Sequence, residues 1–201
     1  MSKTDVGADG KRRCSWCSAS KEYIDYHDQE WGYPVNDDRQ LFEKLCLESF
    51  QSGLSWRTIL AKQDNFRRAF KQFDINKVAK FGDQDVEKLL SNEGIVRHRG
   101  KIEATINNAK KAKELIKEKG SLAAHFWQFE PVRNSEPTTV PSSTEESMAL
   151  SKDLKKRGWK FVGPTTVYAF MQAMGMVNDH APDCIGYEKT EIARKQFKRP
   201  E

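Results

Sequence analysis

Cys14 and His27 stand near the start of this 201-residue chain, and His180 and Cys184 near its end. Two thiols and two imidazoles are the donor set that zinc prefers in a four-coordinate, tetrahedral site. If one ion takes all four, the chain is tied end to end. The ion then either does chemistry or only holds the fold, and spacing alone does not say which. Cys17 adds a second possibility, because Cys14-x2-Cys17 is itself a zinc-type spacing and either thiol could ligate. A zinc deaminase would need H-x-E followed by P-C-x-x-C. The chain instead carries His27-Asp28-Gln29-Glu30 and Pro182-Asp183-Cys184-Ile185-Gly186-Tyr187, which excludes that enzyme.

Three further segments could carry chemistry. Glu48 lies between Leu47 and Phe50 in a stretch otherwise written for burial, where a carboxylate is costly unless paired or functional. The plainer reading puts it on the exposed face of an amphipathic helix. Trp16, Tyr23, Tyr26, Trp31, Tyr33 and Trp56 set six large rings within about forty residues. Such a cluster is core packing, or a stacking site for a flat cation or nucleobase. Asn92 to Lys101 (NEGIVRHRGK) has the layout of a helix-hairpin-helix, in which a glycine-bounded turn and a helix N-terminus face a phosphate. Arg97, Arg99, Gly100 and Lys101 would supply that contact; the alternative is an ordinary turn with exposed bases.

The elements that must position these residues read as helices. Asn36, Asp37 and Asp38 offer N-caps for a helix to about Gln51, and Ser55 caps the next. Asp74 and Asp83 open two short helices. Ile102, Ile106, Ala109 and Leu115 form a 3.6-residue stripe that stops at Gly120. Ser121 starts a short aromatic helix. Residues 131–143, rich in Pro, Ser and Thr, read as the one long loop. Ser143-x-x-Glu146 reads as a capping box, and Pro164 and Gly175 bracket a last long helix. The expected fold is all-α: residues 1–13 a flexible lead, 14–186 one domain of two helical lobes, 187–201 a basic tail.

Composition is that of a globular chain, with 37% apolar and 10% aromatic residues and a net charge of +5. The excess of base clusters at Arg97–Lys101 and Lys110–Lys119, a weak pointer to a polyanionic partner. No apolar run approaches the roughly 20 residues that span a bilayer. The polar N-terminus and four cysteines without a secretory signal point to the cytoplasm.

Taken in order, YIDYHDQEWG, LFEKLCLESFQSGLSW, GIVRHRGKIEATINNA, LSKDLKKRGWKFVGPTTVYAFMQAMGMVNDH and the terminal cysteine closely resemble the bacterial 3-methyladenine DNA glycosylase I family. The resemblance runs from about Cys14 to Cys184. It implies a helix-hairpin-helix glycosylase fold with a structural zinc held by Cys14, His27, His180 and Cys184. It also implies a monomeric enzyme that acts on double-stranded DNA containing alkylated bases, removes 3-methyladenine and leaves an abasic site. By position, Glu48 matches the base-contacting carboxylate. Tyr23, Tyr26, Trp31 and Trp56, with Trp16 nearby, match the aromatic pocket, and Gly53-Leu54 match the loop that enters the duplex. The chain departs from the family at Glu48-Ser49-Phe50-Gln51, where Glu-Gly-Gln-Gln is common. There Phe50 is expected to add a ring to the pocket wall, and a non-catalytic relative with an occluded pocket is the alternative reading.

Overall fold

The computed structural model describes residues 3–132 and 140–201. Most of the long loop expected over 131–143 lies outside the described residues. The chain begins with a two-stranded antiparallel ribbon, β1 (Thr4–Val6) and β2 (Arg12–Cys14). The lead is therefore not free. Asp9-Gly10 supplies the turn, with Gly10 at φ +74° and Asp9 accepting a hydrogen bond from the Lys11 amide. A side-chain bond from Thr4 to Asp183 (2.8 Å) fastens the ribbon to the far end of the chain.

Helices follow in sequence: α1 (Lys21–Gln29), α2 (Asp38–Gln51), α3 (Trp56–Ala61), α4 (Gln63–Ala69), α5 (Ile75–Val78), α6 (Asp83–Leu90), α7 (Arg99–Lys119), α8 (Leu122–Phe126), α9 (Glu145–Lys156), α10 (Pro164–Ala173) and α11 (Ile185–Gln196). Their starts follow local capping chemistry. Ser20, Asp37, Ser55, Asp74 and Ser121 each accept a hydrogen bond from a backbone amide of the first turn. The box before α9 is one residue later than expected, on Thr144 and Ser147 in place of Ser143 and Glu146. Pro164 sits at the start of α10, and Gly175 (φ +71°) follows its end, where a Cβ would collide with the backbone of Gly32–Pro34.

Helix α2 is the axis of the fold and packs on α3, α7, α8 and α10. Residues 44 to 50 are all buried, so the helix has no solvent face over its second half. This overturns the amphipathic reading of Glu48. Phe50 also departs from expectation. It points away from the pocket into the core, with ring centroids 4.7 Å from Phe66 and 5.9 Å from Phe70. At the other end, the expected basic tail is largely α11. Beyond it Phe197 packs on Trp127 at 4.5 Å, and Arg199 donates to both carboxylate oxygens of Glu130.

Candidate active site

Helix α1 and the segment after it carry the aromatic cluster, and α2 carries the carboxylate. Tyr23, Tyr26 and Trp31, with Trp16 from the turn before α1 and Trp56 from the start of α3, line one cavity of about 310 Å³ together with Glu48. Five of the six rings singled out in the sequence therefore meet the carboxylate, and Tyr33 is not in the cavity lining. Trp16 stands edge-on to Tyr23 and Trp31 at 5.1 and 5.0 Å. The cavity is at the small end for a ligand site, the size class of a single flat heterocycle.

Sequence reasoning missed several wall residues. Asp179 and Gln172 line the same cavity, and Asp179 accepts hydrogen bonds from Tyr168 (2.6 Å) and Gln172 (2.8 Å). Its place directly before the ligand-type His180 was the available signal. Lys44 was missed because a lysine one turn from Glu48 reads as surface, yet it is only 4% exposed. Its ammonium donates to the Tyr26 hydroxyl (3.2 Å) and lies 4.5 and 4.7 Å from the ring centroids of Tyr26 and Trp56.

Glu48 is 4% exposed and has no hydrogen-bond partner among the described residues. Burial pushes its carboxyl up from the ordinary 4.5 to about 7, and the Lys44 charge works against that rise. A carboxylate without internal donors, facing aromatic walls, is a site for a cation with N–H groups.

Beside this cavity the four ligand-type residues converge. The donor atoms of Cys14, His27, His180 and Cys184 all lie within 4.8 Å of one another, and all four residues are buried. Three of the four sulfur–nitrogen edges, Cys184–His27, Cys184–His180 and Cys14–His180, are 3.4, 3.6 and 3.8 Å. A tetrahedron with bonds of roughly 2.3 Å to sulfur and 2.0–2.1 Å to nitrogen has edges of about this length. The outer shell is complete as well. Asp28 holds the far nitrogen of His27 at 2.8 Å, the Trp31 carbonyl lies 3.2 Å from that of His180, and Arg13 bridges Asp28 and Asp9. Amides of Ala181 and Gly186 donate to the two sulfurs. Gly186 is required there, since any Cβ would lie 2.5 Å from the His180 ring. Cys17 is also buried but lies outside the cluster, and the thiol that completes the four is that of Cys14.

The hairpin residues divide. Arg97 and Arg99 are exposed beside the turn between α6 and α7, each in reach of an acid: Arg97 of Glu93 at 3.6 Å, Arg99 of Glu87 at 2.5 Å. Gly100 lies in the first turn of α7, which His98 caps by accepting from the Lys101 amide. Lys101 differs from expectation: its ammonium is turned inward and donates to the carbonyls of Phe50 (2.9 Å) and Ser52 (2.5 Å). It closes the C-terminal end of α2 directly before Gly53 and Leu54. Gly53 adopts φ +83°, and Leu54 is 44% exposed at the tip of that turn.

The helical scaffold thus carries an aromatic-walled cavity with a buried carboxylate, an interhelical turn with two exposed arginines, and a protruding leucine. The chain belongs to the methyladenine glycosylase family, whose model matches residues 16–187. It is 49% identical over 177 residues to DNA-3-methyladenine glycosylase of Haemophilus influenzae, covering 86% of this chain and 96% of that protein. It is 48% identical over 180 residues to DNA-3-methyladenine glycosylase 1 of Escherichia coli, covering 87% and 96%. Among solved structures, a crystal structure of 3-methyladenine DNA glycosylase I superposes with TM-score 0.80 at 49% identity, covering 86% of this chain and 98% of the other. A structure addressing 3-methyladenine recognition by the Staphylococcus aureus enzyme superposes with TM-score 0.82 at 35% identity, covering 87% and 96%.

Proposed function

We propose that this protein is a monofunctional DNA-3-methyladenine glycosylase. The carrying observation is the convergence of Glu48 with Trp16, Tyr23, Tyr26, Trp31 and Trp56 on one cavity sized for a purine. A target base inside a duplex must be swung out to reach such a cavity. Leu54 on its rigid turn fills the gap, and the α6–α7 turn serves as the helix-hairpin-helix, with Arg97, Arg99 and the α7 N-terminus at Gly100 on the phosphates. The 3-methylated adenine is a cation, so ring faces and the Glu48 carboxylate favour it over ordinary adenine.

Chemistry then asks little of the protein. Rupture of the bond from the sugar C1′ to the base nitrogen transfers the electron pair to the base, which leaves neutral. Positive charge passes to the sugar, and water adds at C1′ with loss of a proton. Glu48 holds the adenine edge and stabilises that positive charge. No Asp occurs between Lys101 and Lys152, where many helix-hairpin-helix glycosylases keep their catalytic acid, which supports Glu48 in this role. Lys101 is not placed to form a Schiff base, being engaged with two carbonyls. Because Phe50 lies in the core, it does not occlude the pocket, and the non-catalytic reading has no structural support.

Cys14, His27, His180 and Cys184 fit zinc by donor type, spacing and outer shell. Four protein ligands leave no open position, so bound zinc would act as a structural clasp. The pocket and clasp are both complete within one chain, which supports action as a monomer. No helix among the described residues is long and apolar enough to cross a membrane. The test is release of free 3-methyladenine from methylated duplex DNA by purified protein, with borohydride present in a parallel reaction. Release without a trapped protein–DNA adduct is expected; protein that binds abasic duplex but releases no base overturns the assignment.

A further inference from the structure

Lys44 has no part in the mechanism above, yet it is among the least ordinary residues in the molecule. It sits one helical turn before Glu48 on α2, so both side chains leave the same face. Its ammonium is shut behind the pocket wall, against the faces of Tyr26 and Trp56, with the Tyr26 hydroxyl oxygen as acceptor at 3.2 Å. A cation beside a site meant for a cationic base looks self-defeating, unless it serves the groups that touch the base.

We propose that Lys44, one helical turn from Glu48 and bonded to Tyr26, is a positioning residue of the base pocket: its charge opposes protonation of Glu48, and its hydrogen bond leaves the Tyr26 hydroxyl hydrogen for the bound base. This rests on the glycosylase reading. The first effect follows from charge. Glu48 has no donor to stabilise its anion among the described residues, and Lys44 is the cation that opposes the effect of burial. The second follows from hydrogen-bond polarity. With its oxygen accepting from an ammonium, Tyr26 keeps its O–H available to donate to a group in the cavity it lines.

The surroundings keep this arrangement local. Around Lys44 stand Glu30 after α1, Glu43 on α2 and Arg67 on α4, with Arg67 paired to Glu43 at 2.8 Å. Around Glu48 stand Tyr23 and Tyr26 from α1, Lys44 from its own helix, and Asp179 across the cavity. Burial pulls the Lys44 amine down, while the Glu48, Glu30 and Glu43 charges hold it up.

Lys44→Met keeps the length and apolar stem of the side chain and removes the charge. The measurement is kcat/KM for 3-methyladenine release against pH, for wild type, Lys44→Met and Lys44→Arg. Loss of the cation should move the acid limb upward by about one unit, so that Lys44→Met is roughly tenfold more impaired at pH 6 than at pH 8.5. Lys44→Arg should restore the wild-type limb. A loss of equal size at every pH, or no loss, overturns the proposal. If Lys44→Met does not fold, ¹⁵N NMR of the wild-type lysine side chains decides. A protonated, slowly exchanging Lys44 at pH 7.5 supports the proposal, and a neutral amine there overturns it. Wild type that releases no base defeats the glycosylase reading itself; active wild type with an unmoved acid limb in the variant defeats only the role of Lys44.

Discussion

Glu48 is the residue on which the proposed recognition turns, and its burial has two measurable consequences. Because its folded pKa is raised, the buried carboxyl favours the protonated form. Its cost to stability is absent below about pH 4.5 and grows as pH rises through about 7. The stability of wild type relative to Glu48→Gln should therefore fall by about 2 kcal/mol between pH 5 and pH 8. Parallel thermal melts at the two pH values read this directly; a difference that is independent of pH contradicts the burial. Activity has the opposite dependence, since the working form is the carboxylate. Excision by wild type should rise with pH to a plateau above about 7. Glu48→Gln should retain DNA binding and lose on the order of 10²-fold in kcat/KM. Unchanged excision by that variant refutes its role. At this scale the sequence was partly legible. A carboxylate between Leu47 and Phe50 stood out, but Lys44 did not, since neither its type nor its spacing separates a buried lysine from a solvated one.

At the scale of elements, the three basic positions of one short motif are placed for different work. Arg97 and Arg99 face outward, so a glutamine at either should lower duplex affinity and reduce the slope of log K against log salt by about one. Lys101 bonds the end of α2 to the start of α7 and so fixes the turn that bears Leu54. Lys101→Met should leave the salt slope unchanged and lower kcat/KM for excision; a reduced slope would return Lys101 to the phosphate contacts. Element starts were well marked in the sequence because Asp37, Ser55, Asp74 and Ser121 are local caps that need no tertiary context. Helix α1 was not marked. Its residues Lys21–Gln29 are mostly polar, and its only two buried residues are Tyr26 in the cavity wall and His27 in the metal-type cluster. The β1–β2 ribbon was missed for a related reason. Three-residue strands hold too little alternation to register, and their stability comes from Thr4 on Asp183 and Arg13 on Asp9 and Asp28.

For the whole molecule, the proposed zinc clasp would govern stability. Chelation should lower the melting temperature by roughly 10 °C or more, as expected for loss of about 4 kcal/mol in a chain of this size. Excision should fail only where unfolding begins. Equal melting curves with and without chelator would contradict the clasp. Cys17→Ser should retain one equivalent of bound zinc, and Cys184→Ser should lose it, as read by metal analysis of the purified variants.

The span of the clasp also orders events during synthesis. Cys14 and His27 leave the ribosome early, but the cluster cannot close until His180 and Cys184 have followed. Tyr26 and Trp31, which flank His27, wall the base cavity, so that cavity too is unfinished in the nascent chain. A truncated product that ends between Lys101 and His180 would carry the proposed DNA-binding turn without a closed cluster. Such a fragment would expose unliganded thiols and unpacked aromatic rings, features by which a protease could discard it before it occupies a lesion it cannot repair.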